Sequence, residues 1–198
     1  MNLLTWNCQG LGSTPAVRIL TDEVKANDPT LVFLAETKAS VSRIKGLQCK
    51  LDMTQGIIMP CDGQSSGLAM LWKEGTNVEF KSCSHSHIDV VIHKGVGKKS
   101  WRATGFYDHP NTGIRHTSWK LLEALRNQCD LPWIVFGDFN EITHLDEKIG
   151  WLERDFLQIE GFRRCLYRCG LTDLGFVGPR FTWCNGREGE QRTLVRLD

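Results

Sequence analysis

No Cys-x-x-Cys pair occurs in this chain although it holds eight cysteines, so neither a zinc ribbon nor a redox motif is encoded. A secretory signal is also lacking, since Met1-Asn2-Leu3-Leu4 carries no basic region and runs straight into a strand pattern. The scattered cysteines therefore read as reduced thiols of an intracellular protein. No apolar run reaches bilayer-spanning length, so no membrane association is expected. Charge excess is missing as well: 24 basic side chains oppose 23 acidic ones, for a net +1, which gives the whole molecule no general attraction to polyanions. Contacts of that kind must come from local patches such as Lys98-Lys99 with Arg102, Arg163-Arg164, or Arg187, Arg192 and Arg196, although charge runs more often serve solubility. There is no internal repeat, low-complexity tract, interdomain linker or evident obligate protein partner.

What remains is a globular composition, 41% hydrophobic with 19 glycines and 6 prolines, of a length that fits one domain or one large domain cut short. The most informative stretch is Trp133-Ile134-Val135-Phe136-Gly137-Asp138-Phe139-Asn140. Four successive apolar residues read as a buried strand, and the glycine lets Asp138 and Asn140 emerge at its rim as exposed positions. Leu3–Trp6 likewise runs into Asn7, and Leu31–Leu34 into Ala35 and Glu36. Three such ends side by side would form an oxygen-rich cluster suited to a hard cation such as Mg²⁺. A second metal-like grouping is Cys83, His85, His87 and His93; alternation would put the first three on one face, but no second ligand pair supports zinc.

The remaining pattern interleaves helices and strands. Thr14-Pro15 reads as an N-cap with proline at the first helical position, followed by Val17, Leu20 and Val24 on one face. Sequential strands are expected over residues 67–72, 77–81, 88–92 and 101–107. A helix from Thr117 or Ser118 buries Trp119, Leu122 and Leu125. Another starts near Asp155, carries Phe156, Ile159, Phe162, Leu166 and Cys169 as its stripe, and ends at Gly170. Strands 181–183 and 193–197 flank a turn at Asn185-Gly186. Helices among antiparallel strands imply two packed sheets with helices outside.

The ordered set Trp6-Asn7, Glu36-Thr37, Gly105-Phe106-Tyr107, Gly137-Asp138-Phe139-Asn140, Gly170-Leu171-Thr172-Asp173, Phe181-Thr182-Trp183 and Arg196-Leu197-Asp198 resembles the endonuclease/exonuclease/phosphatase (DNase I-like) superfamily. More narrowly it is similar to the apurinic-type endonuclease domain of plant LINE-type (non-LTR) retrotransposons, on Asp108-His109-Pro110, Leu131-Pro132-Trp133, Glu141-Ile142 and Gly178-Pro179-Arg180. The resemblance implies a four-layer α/β sandwich, a Mg²⁺ cofactor with Mn²⁺ as an alternative, and DNA held by its phosphate backbone as partner. It also implies an intracellular, nuclear location. Glu36 matches the metal ligand with Asn7 beside it, Asp138 the residue that activates water, Asn140 the amide on the scissile phosphate, and Tyr107 the phenol that contacts phosphate. Asp173, Thr182 and Trp183 match substrate-side positions. Asn7 as a turn residue, Tyr107 as a half-buried strand residue, and Asp173 and Thr182 as local hydrogen-bonders are the alternatives from the residues alone.

Two departures stand out. Gln9 occupies a position that is acidic in many relatives, and Asp198, which in the family orients a histidine of a terminal Ser-Asp-His, is the last residue. His85, His87, His109, His116 and His144 all precede it. The sequence thus implies a DNA-nicking hydrolase that leaves a 3′-hydroxyl, in a single domain lacking its last strand or strands, marginally folded and impaired. An inactive remnant that binds nucleic acid weakly, and a phosphatase or phosphodiesterase of small phosphate esters, are the rival readings.

Overall fold

Strand β1 (Leu3–Asn7) pairs in parallel with β2 (Leu31–Ala35), and a parallel pair needs a crossover between its strands. Helix α1 (Thr14–Asn27) supplies it. In this computed structural model, described over residues 1–61, 66–95, 99–151 and 154–197, the N-cap of α1 is Ser13, not Thr14. The Ser13 hydroxyl accepts from the Ala16 amide, and Pro15 sits within the first turn, where a missing N–H costs nothing. Val17, Leu20 and Val24 are buried as the spacing requires. Helix α2 (Val41–Leu51) and strand β3 (Gln55–Met59) follow, then β4 (Leu68–Trp72). The first sheet has the order β1-β2-β4-β3, with β4 antiparallel to both neighbours.

Strands β5 (Asn77–Ser84), β6 (His87–His93), β7 (Trp101–Tyr107) and β8 (Trp133–Asp138) form the second sheet, in that order. β5, β6 and β7 are antiparallel, whereas β7 and β8 run parallel. Both sheets are therefore mixed, and with four α-helices among the described residues the α/β class is as expected. The continuous apolar character of β2 and β4 follows from burial on both faces. Leu31, Phe33, Leu68 and Met70 join Ile88, Val90 and Ile92 in the core between the sheets, while Val32, Leu34, Ala69 and Leu71 pack with α1 and α2.

All of this lies in the first of two compact units, Met1–Tyr107 with Leu131–Asp138. The second comprises Asp108–Asp130 and the residues from Phe139 on. It contains α3 (Arg115–Arg126), β9 (Lys148–Ile149), α4 (Phe156–Cys169), β10 (Trp183–Cys184) and β11 (Leu194–Val195). α3 and α4 meet through the Trp119 and Phe162 rings, 5.8 Å apart. The buried stripe of α4 is Ile159, Phe162, Cys165 and Cys169; Phe156 is exposed and Leu166 only half-buried. Gly170 ends that helix in the left-handed conformation.

Four other expectations change. The strands expected over 181–183 and 193–197 shrink to two-residue ladders, with Trp183 paired to Val195. Residues Trp133–Phe136 are half-buried rather than fully buried, β8 being an edge strand of its sheet. Cys83 and His87 do not belong to one continuous face: the chain reverses between β5 and β6, so Ser84 pairs with His87 and Cys83 with Ile88. The imidazole of His87 is held between the Ser82 and Ser84 hydroxyls, and among the described residues no three His, Cys, Asp or Glu side chains converge as a metal group. Finally, Arg102 is no surface base, because it is 1% exposed and paired bidentately with Asp89; Lys98 lies outside the described residues.

Candidate active site

The register of the strands brings four of the expected residues together. Asn7 and Glu36 stand at the C-terminal ends of the parallel pair β1 and β2, and Tyr107 is paired with Asp138 at the ends of β7 and β8. Gly137 makes that second pairing close: at φ 139° a side chain there would lie 2.0 Å from the Phe106 carbonyl oxygen. Only glycine accepts both conditions. Glu36 itself sits at φ 50° and Lys38 at φ 45°, conformations that cost non-glycine residues energy and concentrate at functional sites.

The Asn7 amide donates to Glu36 Oε1 at 3.0 Å and to Asp138 Oδ2 at 2.8 Å. Its own carbonyl oxygen accepts from the Gln9 amide at 3.1 Å. The Tyr107 hydroxyl donates to Glu36 Oε1 at 2.9 Å. Asp138 is 7% exposed, buried rather than standing free at the rim, because its side chain turns inward to Asn7. Burial alone would push the Glu36 carboxyl up, but hydrogen bonds from Asn7, Lys38 and Tyr107 together with the Lys38 charge hold it below the usual carboxylate range. Burial and the neighbouring Glu36 charge push the Tyr107 phenol well above its ordinary value, so it remains a donor at neutral pH.

Among the described residues the oxygens that could hold a hard cation here are the carboxylates of Glu36 and Asp138, since the Asn7 amide turns its NH2 to them and its oxygen to Gln9. Two carboxylates suit Mg²⁺ with most of its shell left as water. Lys38 was not among the expected residues, yet its Nζ lies 2.9 Å from Glu36 Oε2, so an ion binding that oxygen competes with an ammonium. Its place two residues after Glu36 was the only signal in the sequence.

In the second unit, Asn140 also adopts the left-handed conformation, at φ 51°. Its Nδ2 donates to the Asp108 carbonyl oxygen at 2.9 Å. Asp108 is fully buried, and burial pushes its carboxyl up to about 7 against the opposing contacts of Ser118, His109 and Trp119. A cleft of about 320 Å³ in this unit is lined by residues including Asp173, Arg196 and Arg180. Asp173 is exposed and holds Arg196 and the Gly175 amide. Burial acts to raise the Asp173 carboxyl, but those donors and the Arg196 charge leave it below its ordinary value. The Thr182 hydroxyl accepts from the Leu197 amide at 3.1 Å, and Trp183 packs against Ile142, Ile159 and Val195. Arg196 is likewise no free surface base: it bridges Glu147 and Asp173. Asp198 lies outside the described residues.

Two carboxylates, one amide and one phenol gathered at strand ends on two packed mixed sheets are the layout of an α/β protein of the DNase I-like class. The chain belongs to the endonuclease/exonuclease/phosphatase family, whose model matches residues 4–192. No curated protein matches it by sequence. Among solved structures it is similar to the endonuclease domain of TRAS1, a telomere-specific non-LTR retrotransposon, at 15% identity and TM-score 0.68 over 98% of this chain and 81% of that one. It is also similar to an AP endonuclease from Archaeoglobus fulgidus, at 16% identity and TM-score 0.68 over 98% and 86%. A third likeness is the AP endonuclease LMAP from Leishmania major, at 14% identity and TM-score 0.64; it covers 84% of this chain but 66% of that one, less than two thirds. At such identities these likenesses establish the fold.

Proposed function

We propose that the chain is a Mg²⁺-dependent phosphodiester hydrolase that nicks DNA to leave a 3′-hydroxyl, the endonuclease domain of a LINE-type element of the plant kind. The observation that carries this reading is the hydrogen-bonded cluster of Asn7, Glu36, Tyr107 and Asp138 at four strand ends. Membership of the family and the fold shared with a retrotransposon endonuclease domain support it.

Mg²⁺ or Mn²⁺ held by Glu36 with Asn7 would offset the negative charge that develops on the phosphorus oxygens. Asp138 takes the proton of the attacking water, oriented by the Asn7 amide that already touches it. Tyr107, protonated at neutral pH, donates to a phosphate oxygen once substrate displaces its bond to Glu36. Asn140 supplies a neutral donor to the scissile phosphate.

Supercoiled plasmid and soluble phosphate esters, incubated with the chain in Mg²⁺, Mn²⁺ or chelator, test the assignment. Metal-dependent nicks that a DNA polymerase extends directly are expected. Hydrolysis of phosphate esters with intact plasmid would assign a small-molecule phosphatase, and plasmid retention without hydrolysis of either substrate would assign a binding remnant.

A further inference from the structure

Asn140 is held by a closed circuit of contacts. Its side chain reaches the Asp108 carbonyl oxygen. The two residues after Asp108 are gripped by Arg115, whose Nε donates to the His109 carbonyl at 3.0 Å and whose Nη2 donates to the Pro110 carbonyl at 3.0 Å. Arg115 Nη1 meets Glu141 Oε2 at 2.6 Å. Glu141 is 2% exposed, and its other oxygen lies 3.0 Å from Arg154 Nε, without the alignment of a hydrogen bond, while accepting from the Ile142 amide. Arg154 closes the ring by donating from Nη2 to the Asn140 carbonyl at 3.1 Å.

A buried guanidinium, Arg115, and a half-buried one, Arg154, around one buried carboxylate are costly to place, and such a cluster persists where it fixes a geometry. What it fixes here is a non-glycine residue in the left-handed conformation, which needs surrounding contacts to be held. We propose that Arg154 is the positioning residue for Asn140: its planar fork spans Glu141 and the Asn140 carbonyl, and thereby sets where the Asn140 amide points. The inference rests on the reading of Asn140 as a phosphate-binding amide. Arg154 acts through the backbone of Asn140 and is given no contact with DNA. A lysine in its place keeps the charge but cannot span both partners, because an ammonium lacks the fork.

The test compares Arg154→Lys and Arg154→Ala with the unaltered chain in plasmid nicking, with melting curves and NMR of Asn140 recorded on the same samples. A fall in kcat of about 10- to 100-fold is expected, the usual effect of removing a residue that orients a functional group, with KM for DNA within about twofold. The Arg154→Ala rate should recover partly on adding guanidinium ion, and the three-bond HN–Hα coupling of Asn140 should change in Arg154→Lys with little change in melting. Unchanged kcat in both variants, or a raised KM at constant kcat, would overturn the proposal, the latter by making Arg154 a DNA contact. If the unaltered chain hydrolyses no phosphate ester, the hydrolase reading fails separately. The coupling then decides: a change in Arg154→Lys upholds the positioning role, and an unchanged value refutes it.

Discussion

At Glu36, three donors share two carboxylate oxygens: Asn7 and Tyr107 on Oε1, and Lys38 on Oε2. Lys38 is half exposed, so solvent screens its charge and it competes with a cation without excluding one. Lys38→Met should therefore tighten Mg²⁺ binding several-fold in a calorimetric titration, whereas Glu36→Gln should abolish it. Equal affinities in the two variants would remove Glu36 from the metal site. Asp108 offers a pH test. Its folded value of about 7 lies above that of an unfolded aspartate, about 3.9. Protonated Asp108 is thus favoured by folding, and its contribution is complete below about pH 3.9 and lost as pH rises to about 7. The slope at full separation is about 1.4 kcal/mol per pH unit. The unfolding free energy of the unaltered chain, measured relative to Asp108→Asn, should fall as pH rises across that window in denaturant titrations; a constant difference would place the carboxyl at its ordinary value.

Among the secondary elements, those with strong periodicity were legible in the sequence. β2 and β4 are continuous apolar runs, and α1 carries Val17, Leu20 and Val24 at helical spacing. α2 and β3 went unmarked although Ile44, Leu47 and Leu51 share a face, because Gly46 and Gly56 interrupt both segments with the residue that usually signals a break. The stripe of α4 shifted to Cys165 because Trp119 approaches that side of the helix, where Cys165 Sγ meets the Trp119 carbonyl at 3.5 Å; no local pattern encodes such a contact. The antiparallel succession of β5 and β6 is as expected, but the turn at His85-Ser86 carries neither glycine nor proline to mark its place. Gly137, by contrast, announced itself, and the close approach of β7 to β8 depends on it. Gly137→Ala should cost at least about 2 kcal/mol, combining backbone strain with displacement of the Phe106 carbonyl. A chemical denaturation midpoint within error of the unaltered chain would contradict that contact.

For the molecule as a whole, the sequence identified the strand ends that carry chemistry but not how they connect. That Asn7 would bridge Glu36 and Asp138, residues 131 positions apart in the longer of the two links, depends on sheet order and register, which only the assembled fold supplies. Lys38, Arg115 and Arg154 carry no sequence signal of their roles, and Glu141 stands out only as part of a motif, because surface charges and functional charges look alike until burial is known. The central claim is that the bridged cluster in the first unit is a hydrolytic centre, and Asp138→Asn tests it most directly. The substitution keeps the size of the side chain and an oxygen for the Asn7 amide while removing the base. Single-turnover nicking of supercoiled plasmid in Mg²⁺ should fall by about 10²-fold or more, within the range general-base catalysis contributes. Nicking by Asp138→Asn at the rate of the unaltered chain would contradict the account.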